Sequence, residues 1–154
     1  MSQVVLLLGS NMGNREKLLD RAGEELIREV GPIVRASKTY EAEPWGFSAP
    51  QHFLNRALII ETGLSPLDVL DKIQAIETKL GRIRQEEKPK EGNQIYQSRP
   101  IDIDILFYDD RILNSERLTI PHPLIAQREF VLSPLREIMG EYRHPVEGKL
   151  IRDL

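Results

Sequence analysis

Two aspartates separated by one residue are the side chains of this sequence best suited to chemistry. Asp102 and Asp104 lie in the run IDIDILF, residues 101–107. Because side chains alternate between the faces of a strand, both carboxylates are predicted on one face. Adjacent carboxylates in an apolar strand are costly unless positive charge neutralises them, and a divalent cation is the simplest partner. The alternative is an edge strand with its polar face in water, and the pair alone leaves both interpretations open.

Arginines surround this strand in the sequence and favour the metal interpretation. Arg99 precedes Asp102 by three residues, and flanking segments carry Arg82, Arg84, Arg117 and Arg128. A bound polyphosphate is typically held by Mg²⁺ and by guanidinium groups together, because both offset phosphate charge. The pattern therefore predicts a polyphosphate site around the two aspartates.

Composition bounds the class of protein. The 154 residues include 21 basic and 24 acidic side chains, for a net charge of -3 and a pI of about 5.7, which argues against a general nucleic-acid or membrane-surface binder. No cysteine is present, so disulfides and thiolate metal sites are excluded. No apolar run approaches membrane-spanning length. We expect a single domain over residues 1–154, cytoplasmic and without a membrane or nucleic-acid partner.

The elements that must position these residues follow from periodicity and capping signals. Strands are predicted at residues 3–8, 33–40, 53–62 and around 102–107, and helices at 15–29, 66–80 and 134–139. The order β-α-β-β-α-β, followed by an α-rich extension, folds most simply as two split β-α-β units. We therefore predict an α+β, ferredoxin-like sandwich: an antiparallel sheet with helices packed on it and a C-terminal α-rich extension.

Two further patterns have both a structural and a functional interpretation. The turn GSNMGN at residues 9–14 joins a strand to a helix, but it lacks a P-loop lysine, so a structural turn is favoured over a phosphate cradle. Period two places Phe53 and Asn55 on one face of their strand. An aromatic ring beside an amide is either ordinary packing or a site that stacks a flat heterocycle and binds its edge.

Taken together, the motifs of this chain resemble one enzyme family. LGSNMGN, EPWG with FLN after it, ExxLGRxR, SRPIDIDIL, RLTIPHP and REFVLxPL occur in the family's order nearly from end to end. The chain is identified by this resemblance as similar to the 6-hydroxymethyl-7,8-dihydropterin pyrophosphokinases of folate biosynthesis. The resemblance implies transfer of the β,γ-pyrophosphoryl group of ATP to the pterin hydroxymethyl, release of AMP, and two Mg²⁺ ions.

The resemblance also implies roles for residues at matching positions. Asp102 and Asp104 would hold both metal ions, and the catalytic residues Arg82 and Arg99 would stabilise charge in the transferring group. ATP would be bound by Gln74, Glu77, Arg84, Ile105, Arg117, Leu118, Thr119, His122 and Arg128. The pterin would be bound by Ala42, Glu43, Pro44, Trp45, Phe53, Asn55 and Phe130, with the two phenylalanines stacking on its ring.

Two departures from the family pattern qualify the resemblance. Phe53 stands where many relatives carry tyrosine, which keeps the stacking surface and loses a hydroxyl. The loop at residues 85–97, which we interpret as a lid or a disordered loop, has no tryptophan where some members close one over the site, and Tyr96 is the aromatic residue left there. His52 and His144 are expected at the surface, and no residue near the motif is an obvious general base.

Other classes remain as competing hypotheses at this point. An RNA-binding or ligand-sensing module on the same fold would need strand aromatics within a basic surface, and the central strand offers aspartates instead. A metal-dependent nuclease would use the same carboxylate pair without ATP. The enzyme hypothesis expects a monomer whose partners are two small molecules, ATP and the pterin.

Overall fold

The computed structural model describes residues 1–42, 52–81 and 100–154. Within these ranges the chain forms strands β1 to β7 and helices α1 to α3. In chain order they are β1 (Ser2–Ser10), α1 (Arg15–Glu29), β2 (Ile33–Ala36), β3 (Tyr40–Ala42), β4 (Phe53–Thr62), α2 (Pro66–Lys79), β5 (Asp102–Tyr108), β6 (Leu113–Asn114), β7 (Thr119–Ile120) and α3 (Glu129–Met139).

The central sheet is antiparallel, as predicted. Its strand order is β2-β4-β1-β5, with β3 also paired to β4, and every pairing is antiparallel. Strands β6 and β7 form a separate two-stranded hairpin. Among the described strands, β5 lies at one edge of the central sheet. The carboxylate pair is therefore carried by an edge strand, whose outer backbone groups need partners other than a neighbouring strand.

Helices cover both faces of this sheet. Val4, Leu6 and Leu8 of β1 belong to a core that contains residues of α1 and α2, whereas Val5 and Leu7 belong to a second core with residues of α3. Strand β1 is buried from residue 4 to residue 10 because it contributes alternate side chains to the two cores. The continuous run of apolar residues in β1 is thus explained by a strand buried on both faces.

Local signals determine where α1 and α2 begin and end. The side chain of Asn14 accepts a hydrogen bond from the backbone N–H of Lys17 at 3.2 Å, and Ser65 accepts one from Asp68 at the same distance. Gly31 follows α1 where a Cβ atom would lie 1.9 Å from the carbonyl oxygen of Glu61, so only glycine fits this approach of two backbones. These caps and stops confirm the helices predicted at residues 15–29 and 66–80.

The second predicted strand is divided in two. Residues 33–40 form β2 and, after a break, the first residue of β3. At the break, the backbone of Ser37 donates to the carbonyl of Ala57, and its hydroxyl oxygen accepts from the Ala57 N–H at 2.9 Å. A side chain therefore replaces a backbone partner in the ladder, which residue periodicity does not reveal.

Helix α3 begins five residues earlier than predicted. The prediction placed Pro134 at the first turn, but Pro134 lies inside a helix that starts at Glu129. An interior proline removes one backbone hydrogen bond and costs about 3 kcal/mol. Burial of Val131, Leu132 and Leu135 against the sheet offsets this cost, since each fully buried aliphatic side chain contributes roughly 1.5–3 kcal/mol.

His144 is buried and not at the surface as expected. Only 5% of it is exposed, and its ring meets Phe107 edge-on with centroids 5.3 Å apart. Its Nδ1 accepts hydrogen bonds from the backbone N–H groups of Val146 and Glu147. The prediction was wrong because a turn after α3 folds back onto the second core. In the described ranges, no helix combines the length and hydrophobicity needed to cross a membrane.

Candidate active site

Cross-strand neighbours on the α3 side of the sheet form three rows that become polar toward one end. Each row contains one residue from β4, one from β1 and one from β5, paired across the antiparallel ladders. We call them the first row (Ile59, Val5 and Phe107), the second row (Ala57, Leu7 and Asp104) and the third row (Asn55, Gly9 and Asp102). The candidate active site lies at the third row.

The two aspartates share one face of β5, as predicted from their spacing. Asp102 pairs with Gly9 and Asp104 pairs with Leu7, which places both on the α3 side of the sheet, and both are half-buried. The flanking Ile103 and Ile105 point into the opposite core. The apolar residues of this strand thus anchor it from behind while the carboxylates remain on the accessible face.

Gly9 makes room for the side chains beside the aspartates. A Cβ atom at this position would lie 2.9 Å from Asn55 Oδ1 and 3.5 Å from Phe53 Cδ1. Both side chains therefore extend across the backbone of β1 toward β5. Our sequence analysis did not single out this role for Gly9, although glycine inside a strand is the usual signal for such a close approach.

Asn55 carries a buried hydrogen-bond donor that is not satisfied within the described residues. It is 3% exposed, and its Nδ2 atom has no hydrogen-bond partner in ranges 1–42, 52–81 and 100–154. Buried polar groups are almost always paired, so an exception requires an explanation such as a missing ligand. The amide sits in the third row, where Gly9 separates it from Asp102, and a ligand acceptor placed there would satisfy it.

The start of α3 brings an aromatic ring and a cation to the site. Phe130 lies in the first turn of α3 and packs at the margin of the second core. The Arg128 Cζ atom lies 5.7 Å from the centroid of the Phe130 ring, a cation–π contact. Arg128 is half-buried, and its charge acts on His122. These contacts place a guanidinium and a stacking surface together.

His122, in the chain after β7, lies within electrostatic reach of Asp102 and Arg128. A cis peptide bond joins Ile120 to Pro121, and the His122 N–H donates to the carbonyl of Leu106 at 3.0 Å. Burial and then the charge of Arg128 lower the pKa of His122, while Asp102 acts in the opposite direction. Its Nδ1 accepts from the Leu124 N–H at 3.4 Å, so the neutral ring carries its proton on Nε2, which leaves one donor for a ligand.

A second group of predicted ATP residues lies along α2 and the β6–β7 hairpin. Arg117 donates to Asp71 Oδ1 at 2.7 Å and to Gln74 Oε1 at 3.4 Å, so Arg117 and Gln74 are adjacent. Thr119 is the first residue of β7, and Leu118 packs partly against the first core. The side chain of Ile105 is buried in that core, so only its backbone can contact a nucleotide.

Glu77 is the predicted ATP residue with the least accessible side chain. It is 1% exposed, and its Oε2 accepts a hydrogen bond from the backbone N–H of Ile103 at 2.8 Å. This contact joins α2 to the strand that carries the carboxylate pair. Sequence reasoning did not find the contact, because the two residues are 26 positions apart and no local pattern relates them.

Several predicted site residues lie outside the described residues. They are Arg82, Arg84, Arg99, Glu43, Pro44 and Trp45, together with the loop at residues 85–97. Ala42 is described and pairs with Phe53 at the end of β3. Near it, Arg15 donates to the carbonyl oxygen of His52 at 2.8 Å, and the His52 ring lies 3.4 Å from Glu41. The residues that flank positions 43–51 are thus tied to the start of α1.

In the described part of the chain, no group of three or more His, Cys, Asp or Glu side chains is arranged to hold a metal ion. Two carboxylates nevertheless fit Mg²⁺, which is usually bound by one or two carboxylates together with substrate phosphates and water. A carboxylate pair, a buried amide donor, a stacking ring and neighbouring cations are typical of enzymes that act on a metal-bound polyphosphate and a flat second substrate.

Comparison with known proteins identifies the family. Residues 5–140 match the family model of 7,8-dihydro-6-hydroxymethylpterin-pyrophosphokinase. The chain belongs to this family. A 2-amino-4-hydroxy-6-hydroxymethyldihydropteridine pyrophosphokinase from Porphyromonas gingivalis is 42% identical over 146 residues, which cover 94% of this chain and 95% of that protein. The corresponding protein from Aquifex aeolicus is 38% identical over 153 residues, with 99% and 90% covered.

Longer proteins also contain a similar region. The folic acid synthesis protein fol1 of Pneumocystis carinii is 39% identical over 94% of this chain, which spans 18% of that protein. Among solved structures, an HPPK-DHPS in complex with substrates has a TM-score of 0.76 at 16% identity, and wild-type Plasmodium falciparum HPPK-DHPS has 0.74 at 18%. This chain spans 42% and 40% of those two chains. At these identities the structures support the fold alone.

Proposed function

We propose that this chain transfers the pyrophosphoryl group of ATP to 6-hydroxymethyl-7,8-dihydropterin, producing AMP and the pterin diphosphate, a step of folate biosynthesis. Family membership supports this reaction. The main structural support is the third row, in which Asn55 and Asp102 flank Gly9 on one face of the sheet. A heterocycle bound at Asn55 would present its hydroxymethyl group to phosphates held at the carboxylate pair.

The pterin pocket is proposed around the third row. The Asn55 Nδ2 donor would bind an acceptor on the amide-like edge of the ring, which accounts for its lack of a partner within the described residues. Phe53 and Phe130 would stack on the two faces of the ring. The backbone at Ala42 would complete the pocket, and the roles of Glu43, Pro44 and Trp45 stay predictions from the resemblance.

Asp102 and Asp104 are proposed to hold two Mg²⁺ ions. Mg²⁺ would supply neutralisation of phosphate charge and alignment of the reacting oxygens. Their shared face and half-buried positions support this assignment, since both carboxylates can reach one bound polyphosphate. The guanidinium groups of Arg128 and Arg117 would bind ATP phosphates or ribose. The Nε2–H of neutral His122 would donate a hydrogen bond to a phosphate oxygen.

The nucleotide base is proposed to bind at the outer edge of β5. Ile103 directs its N–H away from β1 toward Glu77, and backbone groups two residues further along, at Ile105, lie on the same edge. The base would sit between this edge and the segment from Leu118 to Thr119, with Gln74 nearby. The contacts of Arg82, Arg84, Arg99 and Glu77 with ATP stay predictions.

The reaction then requires positioning more than covalent catalysis by the protein. The hydroxyl oxygen of the pterin forms a bond to the β-phosphorus of ATP, the bond from that phosphorus to the bridging oxygen of AMP breaks, and the hydroxyl proton passes to water or a phosphate oxygen. Asn55 and the phenylalanines orient the nucleophile, while cationic side chains offset charge on the phosphates. Alignment of this kind supplies much of the rate enhancement of phosphoryl-type transfer.

The finer description of the fold belongs to the same proposal. The strand order is β2-β4-β1-β5, and the two connecting helices, α1 and α2, pack on the same face of the sheet. This arrangement supports a ferredoxin-like fold. Elements β6, β7 and α3 would form its C-terminal extension. We infer one domain over residues 1–154. The monomeric state and the cytoplasmic location stay predictions.

Identification of the nucleotide product tests the proposed function. With ATP, Mg²⁺ and 6-hydroxymethyl-7,8-dihydropterin, chromatography should show AMP and pterin diphosphate in equal amounts. Omitting the pterin should abolish AMP formation. Formation of ADP, or of AMP at the same rate without the pterin, would contradict the proposal. Cleavage of DNA or RNA without ATP would instead support the nuclease hypothesis.

A further inference from the structure

Glu77 occupies a position that the proposed reaction does not by itself explain. Its side chain is buried to 1% exposure at the end of α2, where an acidic group is costly unless hydrogen bonds compensate for lost hydration. One such bond is formed with the backbone N–H of Ile103, at 2.8 Å. This contact joins the end of α2 to β5, across 26 positions of the sequence.

Ile103 is the residue between the two aspartates. In an antiparallel ladder, alternate residues direct their backbone groups toward the partner strand and away from it. Because the Ile103 N–H points outward to Glu77, the backbone groups of Asp102 and Asp104 point inward to their partners Gly9 and Leu7. Glu77 therefore serves this edge of β5 as an adjacent strand would, at the midpoint of the carboxylate pair.

The side chain of Ile103 is fixed on the same side. It is 4% exposed and packs in the core formed with α1 and α2. The backbone between the aspartates is thus held by the first core, by β1 and by Glu77. The two carboxylates lie on the opposite face of the strand. Loss of the outer hydrogen bond would let this segment of an edge strand tilt or fray, which would change the spacing of the carboxylates.

We propose that Glu77 is a positioning residue that orients the carboxylate pair through the N–H of Ile103. The proposal rests on the proposed function for the metal-binding role of Asp102 and Asp104. It differs from the role that the resemblance implies, because it requires no contact between Glu77 and ATP. The essential properties of the side chain are its reach and its acceptor oxygen, and its charge is secondary.

Two conservative variants separate reach from charge. Glu77→Gln keeps the length of the side chain and an acceptor oxygen but removes the charge, whereas Glu77→Asp keeps the charge and is one methylene too short. Asp68→Asn, an exposed charge removal on the same helix, serves as the matched control. In Ile103 exchange and in Mn²⁺ affinity, we expect Glu77→Gln and the control to stay close to the wild type and Glu77→Asp to be defective.

Hydrogen exchange in the protein without ligands gives the first measurement. By NMR, the Ile103 amide should exchange about tenfold faster in Glu77→Asp, as expected for loss of one buried hydrogen bond. The amides of Val4 and Leu8 in β1 should be unchanged. Equal protection of Ile103 in wild type and Glu77→Asp would overturn the proposal, as would equally fast exchange in Glu77→Gln and Glu77→Asp.

Metal affinity gives the second measurement. Mn²⁺ binding can be followed by electron paramagnetic resonance with an ATP analogue that has a methylene group between the α and β phosphates. Affinity should fall about 10- to 100-fold in Glu77→Asp, as for other residues that orient metal ligands, and less than about threefold in Glu77→Gln. If Glu77→Gln loses as much affinity as Glu77→Asp, charge is decisive and the proposal is wrong.

Neither measurement needs turnover, so the two proposals fail in different ways. Wild-type protein that forms no AMP from ATP and the pterin overturns the proposed function, and leaves the exchange result standing. A variant that binds the analogue more weakly while Ile103 exchange and Mn²⁺ coordination stay unchanged would show direct nucleotide contact by Glu77, and would contradict the positioning role.

Discussion

The first and third rows belong to the same three strands and the same sheet face, about 13 Å apart along β1 at the usual rise per residue. The first row consists of Ile59, Val5 and Phe107, all buried against α3. The third row has an amide, a glycine and a carboxylate at the equivalent positions. One sheet therefore forms a core at one end and the candidate site at the other.

The direction of α3 explains this difference. Its last residues, with Gly140 and Tyr142, line a cavity that also contacts the three residues of the first row. Its beginning lies at the other end, where Arg128 acts on His122 close to Asp102. The apolar side of the helix covers the first row, whereas its first turn carries Phe130 next to Arg128. A single helix thus covers the core and, at its start, carries residues of the candidate site.

The largest effect should come from the aspartates. Asp102→Ala or Asp104→Ala should lower pyrophosphoryl transfer by about a thousandfold, because a metal ion contributes several kcal/mol to stabilising transferred charge. Thermal stability should not fall, since removal of one carboxylate relieves repulsion in the pair. Asp110→Ala, an exposed residue just beyond the same strand, is the control. Near-normal turnover in either aspartate variant would contradict the proposal that these two residues bind the metal ions.

The first row should respond in stability and not in ligand binding. Phe107 is 1% exposed and contacts Tyr142 and His144 edge-on. Phe107→Ala should lower the free energy of unfolding by about 3–5 kcal/mol, as for other large-to-small aromatic substitutions in a core. Urea denaturation measures this loss. Affinities for ATP and the pterin, measured under conditions in which the variant is folded, should stay close to those of the wild type. A selective loss of pterin binding would contradict the assignment of the first row to the core and the third row to the site.

Gly9→Ala tests the close approach at the third row. The added Cβ would lie 2.9 Å from Asn55 Oδ1, so the amide must move away from its position over Gly9. We expect pterin affinity to fall about 10- to 100-fold, the effect of 1–3 kcal/mol from a displaced buried polar group. Gly23→Ala is the matched control, because its Cβ would meet Ile33 at an ordinary 3.9 Å. Calorimetric titration with the pterin distinguishes the two variants.

Loss of the proposed stacking rings should have a smaller and selective effect. Phe53→Ala and Phe130→Ala should each weaken pterin binding by roughly 1–3 kcal/mol, by analogy with aromatic stacking on nucleobases. ATP affinity should change much less. Phe53→Tyr keeps the stacking surface and serves as the control. Equal losses for both ligands would indicate that these rings are core residues like Phe107.

The smallest expected effect is a pH dependence of stability that arises from His144, which contacts Phe107 of the first row. Burial lowers the pKa of His144, and protonation of Nδ1 would break the bonds it accepts from Val146 and Glu147. The unfolded chain then binds the proton at higher pH than the folded chain, so stability should fall as the pH drops below about 6.5 toward the lowered value. His144→Asn should flatten this decline in thermal melts between pH 7.5 and pH 5, and an unchanged slope would contradict it.

Much of the candidate site is predictable because its signals are local. The shared face of Asp102 and Asp104, and that of Phe53 and Asn55, follows from the period of two in a strand. The N-caps at Asn14 and Ser65 are short-range hydrogen bonds within one turn. The resemblance to the family adds predicted roles for these residues, since its motifs combine particular residue types in a set order. None of these inferences depends on how distant segments pair.

The tertiary structure decided the features that depend on competition between distant groups. Pro134 lies inside α3 because burial against the sheet outweighs a lost backbone bond, and the break at Ser37 depends on its partner Ala57 across the ladder. The space at Gly9 and the bond from Ile103 to Glu77 join segments far apart in the chain. Periodicity and capping are encoded within a few residues, whereas register, helix direction and edge contacts are set by the packing energy of the whole chain.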